Sequence, residues 1–414
     1  MNRGQRSPVG FYVLCWVALA AMGCERDKKE GEPTTRTAER PAEQKQTERP
    51  HAQLFDVDDP AQCAGCHAEI VAQWRSSMHA HSHHSQDPIF DAMRSLRMKR
   101  EGAKLAGRCA QCHGPRDPGD PESRVSKVGV GCASCHLVDN LDRAGGKKKG
   151  AQALSFSEST MRGPHDIEIA PAAPHGVGKA APFIKDGKNL CLACHDAMRN
   201  PQGAATCTTG TEYAAGQAEK SCAECHMPTV ERPNGAASQR KSHASHRFLG
   251  PHALFGDERQ KDFMASAIEM TGEVKKHYLE LNLQNEAGHS VPSGFPGRVV
   301  LIKVVGFDAS KNPVWSNWSD DPMKEDPDAV LNKVYVDTAG NPTMPPYSAR
   351  LERDNRLAPG EQRKLTWKLP PVVERVEVQL LYRLLSPGAV KGLGLSDSRL
   401  AEAQPFARLT LRRP

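Results

Sequence analysis

Residues 63–67 read CAGCH, and the same frame returns as CAQCH at 109–113, CASCH at 132–136, CLACH at 191–195 and CAECH at 222–226. Random placement of the 13 cysteines and 17 histidines among 414 residues would produce roughly 0.02 copies of Cys-x-x-Cys-His. The frame is the attachment motif of c-type haem. Two thiols add across the vinyl groups on one porphyrin edge, and the next histidine swings beneath the ring to bind iron. A disulfide framework needs no histidine, and a zinc site or redox dithiol needs none directly after every second cysteine. The expectation is five covalent haems. They are held by Cys63 and Cys66, Cys109 and Cys112, Cys132 and Cys135, Cys191 and Cys194, and Cys222 and Cys225. The proximal iron ligands are His67, His113, His136, His195 and His226.

The five frames lie between Cys63 and His226, at about 33 residues per frame, which is too few for separate domains. Only 5% of the chain is aromatic. Porphyrins packed on one another are therefore expected to replace large side chains as the core, and the haem-free polypeptide is expected to be unfolded. A net charge of +6 and a pI near 8.6 imply neither nucleic acid nor a strongly acidic partner.

Outward from the frames the chain changes character. Arg3 and Arg6 precede the apolar run 9–22, which is short for a membrane span, and Ala21-Met22-Gly23-Cys24 follows. This reads as a signal peptide over 1–23 of the lipoprotein type, with Cys24 as the lipidated residue. Residues 24–60 are polar and rich in Pro, Glu, Lys and Thr, as expected of a disordered tether. Residues 61–256 hold the haem frames and 257–274 read as a connecting segment. Strict alternation then begins, as in Leu279, Leu281 and Leu283, and again in Val376, Val378, Leu380, Tyr382 and Leu384. That period argues a β-sandwich-like domain over 275–412, structural or docking in role. Cys207 is the one cysteine outside the frames, the leader and the lipid site, and is expected to pack as a lone thiol in the haem region. Lys147, Lys148 and Lys149 read as a solvated loop.

Each iron also needs a sixth ligand or stays open for chemistry. Twelve histidines remain after the frames. His79 follows the first frame on what reads as a short helix, with His83 one turn further on the same face and His81 and His84 pointing elsewhere. The segments Trp74 to His79, Met227-Pro228, His246 to His252 and Gly288 to Gly294 carry a resemblance. With the five frames they are similar to the exported multihaem cytochromes c. That group includes the tetrahaem electron carrier of ammonia oxidisers, hydroxylamine oxidoreductase and ammonia-forming nitrite reductase. The resemblance covers most of the chain from Cys63 onward. It implies a mainly α, haem-packed domain of short helices and long loops ahead of the all-β sandwich. It also implies His79, His175, His246, His252 and His289 as distal ligands, with His165 and His243 as substitutes.

Five distal candidates for five irons favour a carrier of electrons over an enzyme. The expected protein is exported to the periplasmic side of a bacterial membrane, inner or outer, is held by its lipid, and meets redox partner proteins and no nucleic acid. The alternative is an oxidoreductase acting on a small nitrogen or sulfur compound at one five-coordinate haem. The Cys-x-x-Cys-Lys frame that ammonia-forming nitrite reductases use for such a haem does not occur here. A third possibility is a subunit docked by its β domain into a larger electron-transfer complex.

Overall fold

The computed structural model describes residues 55–167, 174–236, 238, 240–251 and 258–414. The leader, the tether, Cys24 and His252 lie outside the described residues. All described residues fall in one compact unit.

The haem segment opens with three helices, α1 (Pro60–Arg75), α2 (Pro88–Glu101) and α3 (Leu105–His113). Single turns follow at α4 (Arg124–Lys127), α5 (Cys132–His136) and α6 (Pro182–Lys185). The segment closes with α7 (Thr209–Gly216) and α8 (Cys222–His226). The starts are encoded locally. Asp59 and Asp87 accept the first free N–H groups of α1 and α2, each ahead of a proline, and Ser221 with Glu224 forms a capping box on α8. The frames themselves make the turns: α5 and α8 are nothing but Cys-x-x-Cys-His, and α1 kinks at His67. Three two-stranded ladders also lie in this segment. They join β1 (Val138–Leu141) to β2 (Leu154–Phe156), β3 (Thr160–Met161) to β4 (Gly176–Val177), and β5 (Thr229–Val230) to β6 (His243–Ala244). The expected mainly α character therefore holds only in part, because long stretches between frames are loop and ladder.

Interior packing of the two halves differs. Of thirteen buried apolar residues between residues 55 and 251, seven are alanine. The continuous apolar cluster lies instead in the last third and takes only Ile89 from the haem segment.

After α9 (Glu258–Ala265), β7 (Ile268–Lys275), β8 (Tyr278–Asn285) and β14 (Gln362–Lys368) form a three-stranded antiparallel sheet, with β8 central. The second sheet has β9 (Val299–Phe307) and β15 (Arg375–Arg383) at its centre, β10 (Pro313–Ser316) and β11 (Val330–Leu331) on β9, and β16 (Gln404–Arg412) on β15. A small ladder of β12 (Lys333–Val336) and β13 (Arg350–Asp354) adjoins them. Leu279, Leu281 and Leu283 of β8 pack in one cluster with Val300, Ile302 and Val304 of β9 and Val376, Val378 and Leu380 of β15. Alternation in sequence thus became two facing sheets. The sandwich begins at Ile268, inside the segment read as a connector. Gly272 masks the alternation there: a Cβ at that position would lie 2.8 Å from the Glu280 carbonyl oxygen.

Leu281 is fully buried between the sheets. Replacing it with alanine should cost about 3 kcal/mol. Urea unfolding followed by a β-region signal, such as Trp367 fluorescence, checks this.

Candidate functional site

The frames are held in register by their own imidazoles. Nδ1 of His67 meets the Asn234 carbonyl, that of His113 the Ser82 carbonyl, that of His136 the Arg162 carbonyl and that of His226 the Leu249 carbonyl. Donation from Nδ1 leaves Nε2 as the lone-pair nitrogen that a metal takes. The carbonyls come from other segments, so each of these four frames is tied to a different loop. The backbone approaches closely at these ties. A Cβ on Gly235 would lie 2.9 Å from His67 Nδ1, and one on Gly150, at φ +54°, would lie 2.9 Å from Cys112 Sγ.

Opposite these rings stand other histidines. The ring centres of His79 and His195 are 6.1 Å apart. Those of His136 and His246 are 6.2 Å apart, as are those of His226 and His289. Two imidazoles bound on opposite faces of one metal ion, each at about 2 Å, place their ring centres about 6 Å apart. His246 and His289 also present the ligand hydrogen-bond pattern, with Nδ1 on the carbonyls of Ala244 and Ser290. Burial, followed by the neighbouring His195, His226 and His246, pushes His79 down to about 3. Burial, followed by His136, pushes His246 down to about 4. Both rings stay neutral, the state a ligand needs. Nδ1 of His79 is buried without a partner.

The remaining candidates sort differently. His175 has Nδ1 on the Gly176 carbonyl, its ring centre 6.0 Å from that of Phe55, and lies within electrostatic reach of His136. Its Nε2 has no hydrogen bond, so it keeps the ligand pattern without a facing ring. His113 stacks at 3.8 Å on Phe90, and among the described residues no histidine ring faces it. His243 is spent as a ligand: Nε2 bonds Gln73 and Nδ1 the Arg232 carbonyl. His165 lies near Arg240 and Lys185 on a largely open loop.

In the histidine-rich run after the first frame, α1 ends at Arg75, so residues 79–84 are turns and no helical face exists to pair His79 with His83. His83 is buried, with Nδ1 on Ser85 and Nε2 on the Pro121 carbonyl. His84 bridges Glu122 and Asp91, and His81 holds the Ser77 carbonyl.

The attachment thiols lie side by side across frames. Cys63 neighbours Cys132, Cys112 neighbours Cys194, and Cys191 neighbours Cys222. Cys135 lies within reach of both Cys191 and Cys194. None of the eleven described cysteines is in a disulfide. Neutral imidazoles at shared-iron spacing, thiols meeting in pairs and an alanine-lined interior all fit covalent haem.

Sequence reasoning missed several contributors. Phe248, at φ +48°, packs edge-on against His79 with ring centres 4.2 Å apart. Lys149, read as solvated, buries its ammonium near Cys112 without a partner. Cys207 packs beside Lys333 and Tyr335 of the β region rather than among the frames. Its thiol meets Thr209 Oγ1 at 3.9 Å. No local pattern marks any of these, because each depends on a residue far along the chain.

His289 is delivered from the sandwich. Asn285, at the end of β8, donates its amide to the carbonyls of His289, Leu357 and Ala358 and accepts from the Ala287 N–H. A second tie crosses to α7. Glu212 accepts from Arg356 at 2.8 Å, Thr208 and Ser293, with Lys333 at 3.9 Å. Arg356 and the two hydroxyls hold the Glu212 carboxyl below its usual range, against burial, which alone would raise it.

A chain whose frames, imidazole pairs and thiol contacts are arranged this way is a multihaem c-type cytochrome. Residues 62–137 match the family model described as cytochrome c554 and c-prime. The crystal structure of a penta-heme cytochrome c552 from Thermochromatium tepidum superposes with a TM-score of 0.70 and 25% identity, over 84% of this chain and 97% of that one. No curated protein matches the chain by sequence. As a cytochrome c it binds c-type haem, carries electrons and meets redox partners.

Glu212→Gln should lower stability by about 2 kcal/mol, because Arg356 and Lys333 lose a buried carboxylate and Arg356 is left with Asp354 alone. A carboxyl whose pKa is depressed on folding stabilises above its ordinary value of about 4.3, and that contribution is lost as pH falls through the depressed value. The variant should therefore lose less stability than the parent between neutral pH and pH 4. Thermal melts at both pH values check it.

Proposed function

We propose that the chain is a pentahaem carrier, in which electrons pass between closely packed haems and no substrate is transformed. The observation that carries this reading is the set of three ring pairs at 6.1 to 6.2 Å. An iron with an imidazole on each face is saturated and exchanges electrons with little rearrangement. In this reading His79 caps the haem of the fourth frame, His246 that of the third and His289 that of the fifth. His175 and His252 serve the first two. The penta-heme title of the structural relative supports five haems.

The thiol contacts support a route. Thioethers mark one porphyrin edge, so neighbouring thiols imply neighbouring edges. The contacts Cys63 to Cys132, Cys135 to Cys191 and Cys191 to Cys222 link frames one, three, four and five, and Cys112 to Cys194 joins the second frame at the fourth. Among the described residues no helix is long and apolar enough to cross a membrane. The leader reading supports export and a lipid anchor at Cys24. Replacement of Cys24 by alanine should shift the protein from the membrane pellet to the soluble fraction.

A second reading has one observation of its own. Cys109 of the second frame is surrounded by Arg97, Arg94 and Arg108, with Tyr347 near Arg97. Arginines beside a frame whose histidine no described histidine faces suit reduction or oxidation of a small nitrogen or sulfur oxyanion at an open haem, although Arg97 and Arg94 are paired with Glu101 and Glu122.

Low-temperature EPR of the oxidised protein, with haem counted per chain, decides between them. The carrier predicts five haems, all low-spin. A high-spin signal of about one haem in five in the parent protein overturns the carrier and selects the second reading. In the carrier, His289→Ala should convert about one-fifth of the iron to high-spin with five haems retained.

A further inference from the structure

Arg298 immediately precedes β9, and its guanidinium lies within electrostatic reach of the imidazole pairs. Nη1 donates to the Ser293 carbonyl at 2.6 Å. Gly294, at φ +77°, passes so close that a Cβ there would lie 2.9 Å from Nη1. The loop that carries His289 is therefore folded against this guanidinium. Nε is buried and, among the described residues, has no acceptor. No carboxylate among the described residues pairs with it. The nearest acid in this region, Glu212, is already taken by Arg356 and Lys333. The fully buried Tyr382 hydroxyl lies beside the guanidinium, off hydrogen-bonding alignment. The positive charge reaches three of the paired histidines, His195, His226 and His289, and helps hold each of them neutral.

A guanidinium cannot shed its proton, and burying one without an anion is costly. The three histidines around it are neutral and offer no counter-charge. The only anions that attached haems add to this space are their propionate side chains. A planar fork with a free Nε edge is the shape that takes a carboxylate through two parallel hydrogen bonds.

We infer that Arg298 binds a propionate at the junction of the haems attached at Cys191–His195 and Cys222–His226, and thereby raises the reduction potentials of both. The reading rests on those two frames carrying haem. A fixed positive charge in a low-dielectric interior favours the state with one electron more, so the sign is upward. Arg298 is then a positioning and potential-setting residue at the step between the fourth and fifth haems.

The test is a spectroelectrochemical titration of the loaded full-length protein. Arg298→Gln should keep five haems and an unchanged spin state while two of the five midpoint potentials move down. Arg298→Lys should move the same two by less, because charge remains and the fork is lost. Full haem content and spin state with all five potentials unchanged in Arg298→Gln would overturn the inference. So would a uniform drift of all five, which a general loosening would cause. Should Arg298→Gln not assemble, Arg298→Lys carries the test alone, and unchanged potentials there would overturn it. Failure of the underlying haem reading shows separately, as a deficient haem count or altered spin state in the parent protein.

Discussion

Two thioether bonds and one iron–imidazole bond per frame are the constraint from which the rest of this structure follows. Each haem so attached places a large flat apolar body at a fixed point of a short stretch of chain. The polypeptide around those points has little else to bury. Seven of its thirteen buried apolar residues are alanine, and the continuous side-chain core lies in the sandwich instead. Small side chains suit such a place, since backbone and porphyrin can approach without a gap to fill. The same reasoning accounts for Gly150 and Gly235, which press the chain against Cys112 and His67 at distances that no larger residue allows.

The second half of the protein is conventional by comparison, and its value to the first half is leverage. A hydrophobic sandwich is rigid, and β8 ends within four residues of His289. Asn285 spends its whole hydrogen-bonding capacity in holding that short link. Glu212, Arg356 and Ser293 fasten the next loop to α7. A polar cluster so fully satisfied specifies one geometry where apolar packing would tolerate several. The β region thus acts as a mount for one imidazole, a more definite role than docking.

What was legible in the sequence divides along the range of the chemistry. Cys63 to His67 and its four repeats could be read because covalent attachment is local and imposes its spacing on the chain. The sandwich could be read because side chains alternate along a strand, except at β7, where Gly272 interrupts the pattern. Pairing of His79 with His195 could not be read from spacing, since 116 residues separate them. Resemblance supplied His79, His246 and His289 as candidates but not their partners. The periodic argument for His83 failed because α1 stops at Arg75, and the residue is buried for a structural reason, with both nitrogens engaged. Arg298 and Lys149 were invisible because an unpaired buried cation is a property of surroundings alone.

The separation of ring partners has a bearing on biogenesis. A chain made from its N-terminus presents His226 well before His289, and the latter is in place only once β8 has found β7 and β14. With His289 as partner, the fifth haem is ligated on one face as soon as its thioethers form, and on the other only after tertiary folding is complete. Closure of that iron would then report a finished molecule. A nascent or truncated chain would display an exchangeable coordination position that the mature protein conceals. Quality control could read that difference directly.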